Sequence, residues 1–565
     1  MDFAEILLRR GLLTQVQVNQ TKDAHESVMD WVLSNPSVDT QAALEAIADE
    51  MGVDFVDLRN TNVELELLET FPQKLIFRES LFPISRENGS LRIATADPLN
   101  FYPLDEAAAA TGLHVEPVLA DRVEIQKLIK THLGVGGETV GGLVKQRSDD
   151  GVELLEEIET DGSELSEMAQ EASVVRLVNE ILLEAVDTRT SDVHIESQAD
   201  GIVIRYRIDG ILHTQPVPPE INHFRAAIIS RLKIMARLNI AEKRLPQDGR
   251  IKLKVHGREV DVRVSVIPMI HGESLVMRIL DKGAMKFDLR NLGMNEKTYN
   301  AFSKLIKMPH GIILVTGPTG SGKTTTLYSS LIEINNASTK IITTEDPVEY
   351  QLAGINQIQV HPKIGLTFAQ SLRSILRHDP DVVLVGEIRD LETAENAIQA
   401  SLTGHLVFST LHTNDAAGAY TRMVDMGTEP FLVASTVEAI MAQRLVRRLC
   451  KHCKEPVDLD KIELPSDFPR ELVDSNTIYG PVGCRECRDV GYAGRVGIYE
   501  LLVTTDSVRE LAMERASTFA IKQAALTDGM RTLRDDAWLK TIAGQTSISE
   551  VTRVTKNDRR EQAKS

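Results

Sequence analysis

Gly317-Pro318-Thr319-Gly320-Ser321-Gly322-Lys323-Thr324 carries two glycines, a lysine and a threonine at the spacing G-x-x-x-x-G-K-[ST]. Glycines at these places let the backbone turn tightly enough for successive N–H groups to face phosphate oxygens. The lysine then reaches the β- and γ-phosphates, and the threonine hydroxyl ligates Mg²⁺. The context agrees. Gly311-Ile312-Ile313-Leu314-Val315-Thr316 is a short apolar, β-branched run that reads as a buried strand. Thr325 to Asn335 reads as a helix whose free N-terminal N–H groups face the anion. Strand, loop and helix stand in the order that a nucleotide site requires, with Thr325 in the first turn of that helix.

Further along, Ile341–Thr344, Val382–Val385 and Leu406–Thr410 repeat the pattern of a short apolar strand followed by a helix. This predicts a mostly parallel sheet covered on both faces, with ligands gathered at the carboxyl ends of its strands. Each of these strands has polar neighbours. Glu345, Asp346 and Glu349 follow the second. Asp381 precedes the third, and Gly386, Glu387, Arg389 and Asp390 follow it. His405 and His412 flank the fourth. Carboxylates beside a phosphate loop hold Mg²⁺ through its waters or orient the attacking water. Glu387 is the first candidate for the water-polarising base and Glu345 the second. His412 either contacts the γ-phosphate or is a buried structural histidine.

The chain has four cysteines, all in the pairs Cys450-Lys451-His452-Cys453 and Cys484-Arg485-Glu486-Cys487. Two C-x₂-C turns complete a tetrahedral S₄ shell that suits Zn²⁺, with no position left open for water, so the metal would be structural. Disulfides fit a reducing compartment poorly, and nothing else in the chain suggests the redox chemistry of an iron–sulfur cluster.

At 565 residues the chain exceeds one hydrophobic core, and three or four domains are expected. Hydrophobic residues make up 42% and aromatics only 4%, so the cores should be aliphatic. A net charge of −19 argues against a nucleic-acid track. No apolar run approaches the ~18–20 residues of a membrane span. Met1-Asp2-Phe3-Ala4-Glu5 carries acids where a signal peptide carries Lys or Arg, which places the chain in the cytoplasm.

Upstream of the nucleotide site, residues 1–60 read as helical and residues 61–132 as a small α+β module. Residues 133–168 read as a tether: glycines cluster first, then an acidic run from Asp149 to Glu167, with a solvated helix over Glu153–Glu159 as the alternative. From Ser173 an amphipathic helix precedes alternating strands and a basic helix over Phe224–Leu238. This makes an α+β domain over 169–288, ahead of the α/β domain of 289–565 and its cysteine module at 446–490.

Taken together these motifs closely resemble the secretion ATPase family, the motors of type II secretion and of type IV pilus extension. The likeness rests on five stretches in the same order. Four are Thr344-Glu345-Asp346-Pro347-Val348-Glu349, Leu376 through Asp390, Thr403 through Ala416 and the phosphate loop. The fifth is Ala442-Gln443-Arg444-Leu445-Val446-Arg447 ahead of the cysteines. Upstream, Ser191-Asp192-Val193-His194-Ile195-Glu196 and Arg244 through Arg250 look like the family's second N-terminal domain. His378 is a small departure, standing where the family often has Gln.

The resemblance implies a RecA-like, hexameric Mg²⁺-ATPase at the inner face of the inner membrane, preceded by a PAS-like α+β domain. That domain would supply arginines to the nucleotide, with Arg263 and Arg278 at the matching positions and Arg250 as a further candidate. It implies nucleotide contacts from Asp346 and His412. It also implies a polytopic inner-membrane platform protein and a membrane-anchored partner, the latter docking on 61–132. Some relatives bind cyclic di-GMP near the N-terminus, and Arg9-Arg10-Gly11-Leu12-Leu13 is a fragment of the motif involved. A cyclic-dinucleotide-regulated ATPase and a nucleic-acid translocase are the competing classes, although no nucleic acid is expected as a partner.

Overall fold

The computed structural model describes residues 3–14, 17, 38, 40–59, 61, 63–87, 89–98, 100–133, 152–154, 172–281, 287–474 and 476–556. The chain divides into two compact units, Met1–Gly283 and Ala284–Ser565.

In the first unit, α1 (Phe3–Arg9) and α2 (Thr40–Met51) precede a three-stranded sheet. It comprises β1 (Phe82–Glu87), β2 (Ser90–Thr95) and β3 (His114–Leu119), with α3 (Phe101–Thr111) and α4 (Arg122–Leu133). Its core is aliphatic apart from Phe71 and Phe82. Much of the helical stretch expected over residues 1–60, the glycine cluster and most of the acidic run lie outside the described residues. Within that acidic stretch, β4 (Val152–Leu154) adds an outer strand to a second sheet.

The second sheet follows α5 (Ala172–Asp187). It contains β5 (Asp192–Gln198), β6 (Gly201–Ile208), β7 (Ile211–Thr214), β8 (Gln247–Val255), β9 (Arg258–Met269) and β10 (Gly272–Asp281), with α6 (Arg225–Met235) after β7. The order is β4-β8-β9-β10-β5-β6-β7, antiparallel throughout. Leu177, Val178, Ile181, Leu182 and Ala185 of α5 recur at helical spacing and are all buried in its core. The basic helix anticipated from the sequence is α6, but two of its charges are turned inward. Arg231 is 7% exposed, and Lys233 is fully buried. Lys233 donates to Glu273 at 2.6 Å and to the carbonyl of Glu242 at 2.8 Å.

The second unit is built on β11 (Gly311–Thr316), β12 (Ile341–Glu345), β13 (Asn356–Gln359), β14 (Val382–Val385), β15 (Leu406–Leu411), β16 (Val437–Leu449) and β19 (Tyr492–Val503), in the order β13-β12-β14-β15-β11-β16-β19. All pairings are parallel except β16 with β19. Every residue of β11, β12, β14 and β15 is buried, as expected of parallel strands covered on both faces. A small antiparallel pair, β17 (Glu455–Asp458) and β18 (Thr477–Gly480), lies between the cysteine pairs.

Around the sheet stand α7 (Lys323–Ile334), α8 (Leu391–Leu402), α9 (Ala417–Asp425), α10 (Thr518–Thr527), α11 (Leu533–Ile542) and α12 (Ile548–Val554). Helix starts are set by side-chain caps: Asp390 accepts from Thr393 N–H at 2.8 Å, and Thr532 with Asp535 forms a capping box. β19 is one of the sheet's two outer strands. Its Tyr499 N–H, turned away from β16, donates to the buried carboxylate of Asp536 on α11 at 3.0 Å.

Candidate active site

β11 ends at Thr316, and its neighbours on either side, β15 and β16, both come much later in the chain. The sheet therefore changes direction at β11, where such folds open a crevice at the strand ends. The phosphate loop fills that place. Gly317 has φ +149° and Gly322 φ +88°, backbone that a side chain rarely adopts. A Cβ on Gly317 would stand 2.5 Å from the carbonyl oxygen of Gln443. Pro318, Thr319, Gly320 and Thr324 are exposed, Thr325 is half-buried and Ser321 is buried. Lys323 folds back on the loop and donates to the carbonyls of Gly317 at 2.7 Å and Pro318 at 3.2 Å. Burial pushes its pKa down to about 8; the negative charge of Glu387 opposes the shift and the positive charge of Arg444 adds to it.

Glu387 follows β14 after Gly386, its side chain 12% exposed. It pairs with Arg389, and its Oε2 lies 3.3 Å from Nε2 of His412. His412, just past the end of β15, is 52% exposed. Of the two expectations for it, the buried structural histidine is set aside: the ring faces Glu387 and solvent.

Glu345, at the end of β12, is in a different state. It is 5% exposed and its carboxylate accepts hydrogen bonds from the Tyr328 hydroxyl, from Thr343 Oγ1 at 2.6 Å and from Gln357 Nε2 at 3.0 Å. Three donors fix both oxygens inside the sheet, whereas Asp346 beside it is exposed. Asp390 is a helix cap.

A set of hydroxyls missed at the level of sequence ties the strand ends together. Thr316 Oγ1 lies 2.7 Å from Thr413 Oγ1 and accepts from Thr413 N–H at 2.9 Å. Thr410 donates to the Gly386 carbonyl at 2.7 Å, and Ser409 to that of Val385 at 2.8 Å. Their signal was present as hydroxyl residues inside runs that are otherwise apolar. These bonds hold the phosphate loop, Glu387 and His412 in one register.

The candidate arginines belong to the first unit. Arg250, Arg263 and Arg278 are direct cross-strand partners on β8, β9 and β10, and Asp192 and Arg207 continue the same rank on β5 and β6. Arg250 forks onto Asp261, and Arg278 Nε donates to Asp192 at 3.0 Å. Three guanidiniums stand side by side, and the carboxylates of Asp261 and Asp192 offset part of their mutual repulsion. Arg207, 3.8 Å from Asp192, was not anticipated.

The sulfurs of Cys450, Cys453, Cys484 and Cys487 lie within 4.8 Å of one another, and none is in a disulfide. Cys450 and Cys484 are 3.8 Å apart; Cys453 and Cys484 are each 3.7 Å from Cys487. Thiolates about 2.3 Å from a tetrahedral zinc are about 3.8 Å apart, so the donor set fits that ion. N–H groups of Gly483 and Gly491 point at Cys453 and Cys487 at 3.3 and 3.2 Å.

The profile of the type II/IV secretion system protein family matches residues 167–553, and that of the MshEN domain residues 51–139. The chain is 41% identical over 562 residues to the type IV pilus assembly ATPase PilB of Myxococcus xanthus, covering 98% of this chain and 99% of that one. It is 45% identical over 522 residues to the type II secretion system protein E of Xanthomonas campestris pv. campestris, covering 91% and 90%. It is 50% identical over 414 residues to the type II secretion system ATPase E of Vibrio cholerae, covering 72% and 80%. These relatives do not favour the nucleic-acid translocase or the cyclic-dinucleotide-regulated alternative.

Proposed function

Because the chain belongs to the type II/IV secretion system protein family, we propose that Glu387 is the base with which it hydrolyses ATP. The protein is a hexameric motor ATPase of type II secretion or type IV pilus assembly. The observation that carries the assignment is Glu387 itself: at a strand end beside Lys323, shielded from bulk water, and oriented by Arg389 and His412.

The roles follow from the chemistry of each group. The loop N–H groups of Gly317–Gly322 and the first turn of α7, with Thr325, hold the phosphates. Lys323 leaves the loop carbonyls for the β- and γ-oxygens. Thr324 and exposed Asp346 would hold Mg²⁺, which would supply positive charge to the leaving phosphates. Glu387 orients the attacking water in line with the γ-phosphorus and takes its proton, while His412 steadies the carboxylate and meets the γ-phosphate. Arg263 and Arg278, with Arg250 behind them, serve as the arginines that stabilise charge spreading over the phosphoryl group. Glu345, saturated by hydrogen bonds, keeps β12 in place rather than moving a proton. The four cysteines hold one structural Zn²⁺.

The antiparallel sheet and two helices within 169–288 support a PAS-like second N-terminal domain, and the three-stranded module of 61–132 a docking surface for a membrane-anchored partner. A polytopic platform protein at the inner face of the inner membrane is the proposed load. Among the described residues no helix is long and apolar enough to cross a membrane.

Glu387→Gln should lower kcat by at least about 10²-fold while ATP still binds. The trapped variant, captured from solubilised membranes of its host with Mg²⁺-ATP, should carry a polytopic platform protein. Secretion components in the same capture assign the motor to export, and pilus components to fibre assembly. Full turnover by the variant would remove Glu387 from its role.

A further inference from the structure

β16 runs parallel to β11 with Ala442 opposite Thr316, so the residues that follow lie alongside the opening turn of the phosphate loop. Successive strand residues face opposite sides of the sheet, and here the two sides carry different contacts. Gln443 turns toward α7. Its Oε1 accepts a hydrogen bond from Thr326 Oγ1 at 2.7 Å, and both residues are buried. Its carbonyl oxygen crowds Gly317, and its Nε2 would stand 2.8 Å from a Cβ on Gly322. One residue thus abuts both bends of the loop, and at each bend only glycine leaves it room.

Arg444 turns the other way. Its Nη2 donates to Oδ1 of Asn414 at 3.0 Å and to the Asn414 carbonyl at 3.3 Å. Its Nη1 is buried with no hydrogen-bond partner, an expense that calls for a reason. Asn414 stands two residues beyond His412 and next to Thr413, which is bonded to Thr316 at the foot of the loop. Asp415 and Glu500 support the guanidinium's charge against burial.

We propose that Gln443 and Arg444 are positioning residues that lock the phosphate loop and the segment after His412 to a single strand, so that phosphate arriving at Lys323 is felt at Asn414. The positive charge of Arg444 is felt at Lys323. A bound polyphosphate would offset it and leave Arg444 its hold on Asn414. Gln443 keeps the loop in the shape that accepts the phosphate. The proposal rests on the nucleotide site assigned above to Lys323.

The test is steady-state Mg²⁺-ATP hydrolysis by the full chain. Gln443→Met keeps the volume and removes the acceptor; Thr326→Val removes the donor. Each should raise KM for ATP about tenfold with kcat within about twofold, and the double variant should be no worse than either single one. Additive effects, or a fall in kcat at unchanged KM, would overturn the role of Gln443. Arg444→Gln should move the alkaline limb of kcat/KM to higher pH, because Lys323 loses a cationic neighbour, and Arg444→Lys should restore it. An unmoved limb in Arg444→Gln would overturn the role of Arg444. Lys323→Ala reports on the site itself: normal hydrolysis by that variant would defeat the nucleotide assignment, whatever Gln443 and Arg444 do.

Discussion

Lys323 makes this motor sensitive to pH. Only its charged form holds phosphate, and burial brings its pKa down to about 8. The sign follows directly. Below pH 8 the lysine is protonated and kcat/KM for ATP should be level; above it, kcat/KM should fall up to tenfold per pH unit. A profile from about pH 6.5 to 9.5 checks this, and a level line to the end of that range would contradict it. Lys323, Glu387 and the cysteines could be singled out in the sequence because each proposed role needs a fixed residue type at a fixed spacing. The state of Glu345 was not. It depends on the hydroxyl of Tyr328 and the amide of Gln357, neither of which belongs to a motif. Glu345→Gln should accordingly lower the melting temperature, by about 2–4 °C per kcal/mol lost. The alternative outcome, full stability with turnover abolished, would return Glu345 to the chemistry.

Among the elements, the four buried parallel strands could be read from their apolar runs, and the helix after the phosphate loop from its place in the motif. β13, β16 and β19 could not. β13 is Asn-Gln-Ile-Gln, with no apolar pattern. The two long strands carry charges that pair only in the fold: Arg447 donates to Glu550 on α12 at 2.7 Å. Glu500 accepts the N–H groups of Ala416 at 2.8 Å and Leu533 at 3.2 Å. Charge inside a strand hides it from pattern reading. The cysteine module is the opposite case, since spacing announces it while its hairpin of β17 and β18 does not. One zinc per chain is expected by metal analysis. Removing it with a strong chelator, or substituting Cys484→Ser, should lower the melting temperature of the second unit by several degrees. A chain that contains no zinc as isolated would end that assignment.

For the whole molecule, length pointed to several domains, the acidic balance argued against a nucleic-acid track, and the order of the motifs pointed to a hexameric motor. The rank of arginines was beyond sequence reading, because register across five strands is a property of the sheet. If those arginines act across subunits, mixed hexamers of Glu387→Gln and Arg263→Ala protein should regain part of the ATPase activity that each variant lacks alone, whereas no recovery would mean that each subunit relies on its own arginines. The closing of β19 by Asp536 matters at this scale as well. An outer strand with open N–H groups is a template for another chain's strand. Asp536 is 1% exposed and also holds Asn295 and Lys540, so Asp536→Ala should cost about 3–5 kcal/mol. Its larger effect would be on solubility. A ring of six brings many copies of the same sheet together, and a helix carboxylate held against the last strand would steer them away from fibre growth. Cut back before α11, the chain would keep every group of its nucleotide site and still be lost to aggregation.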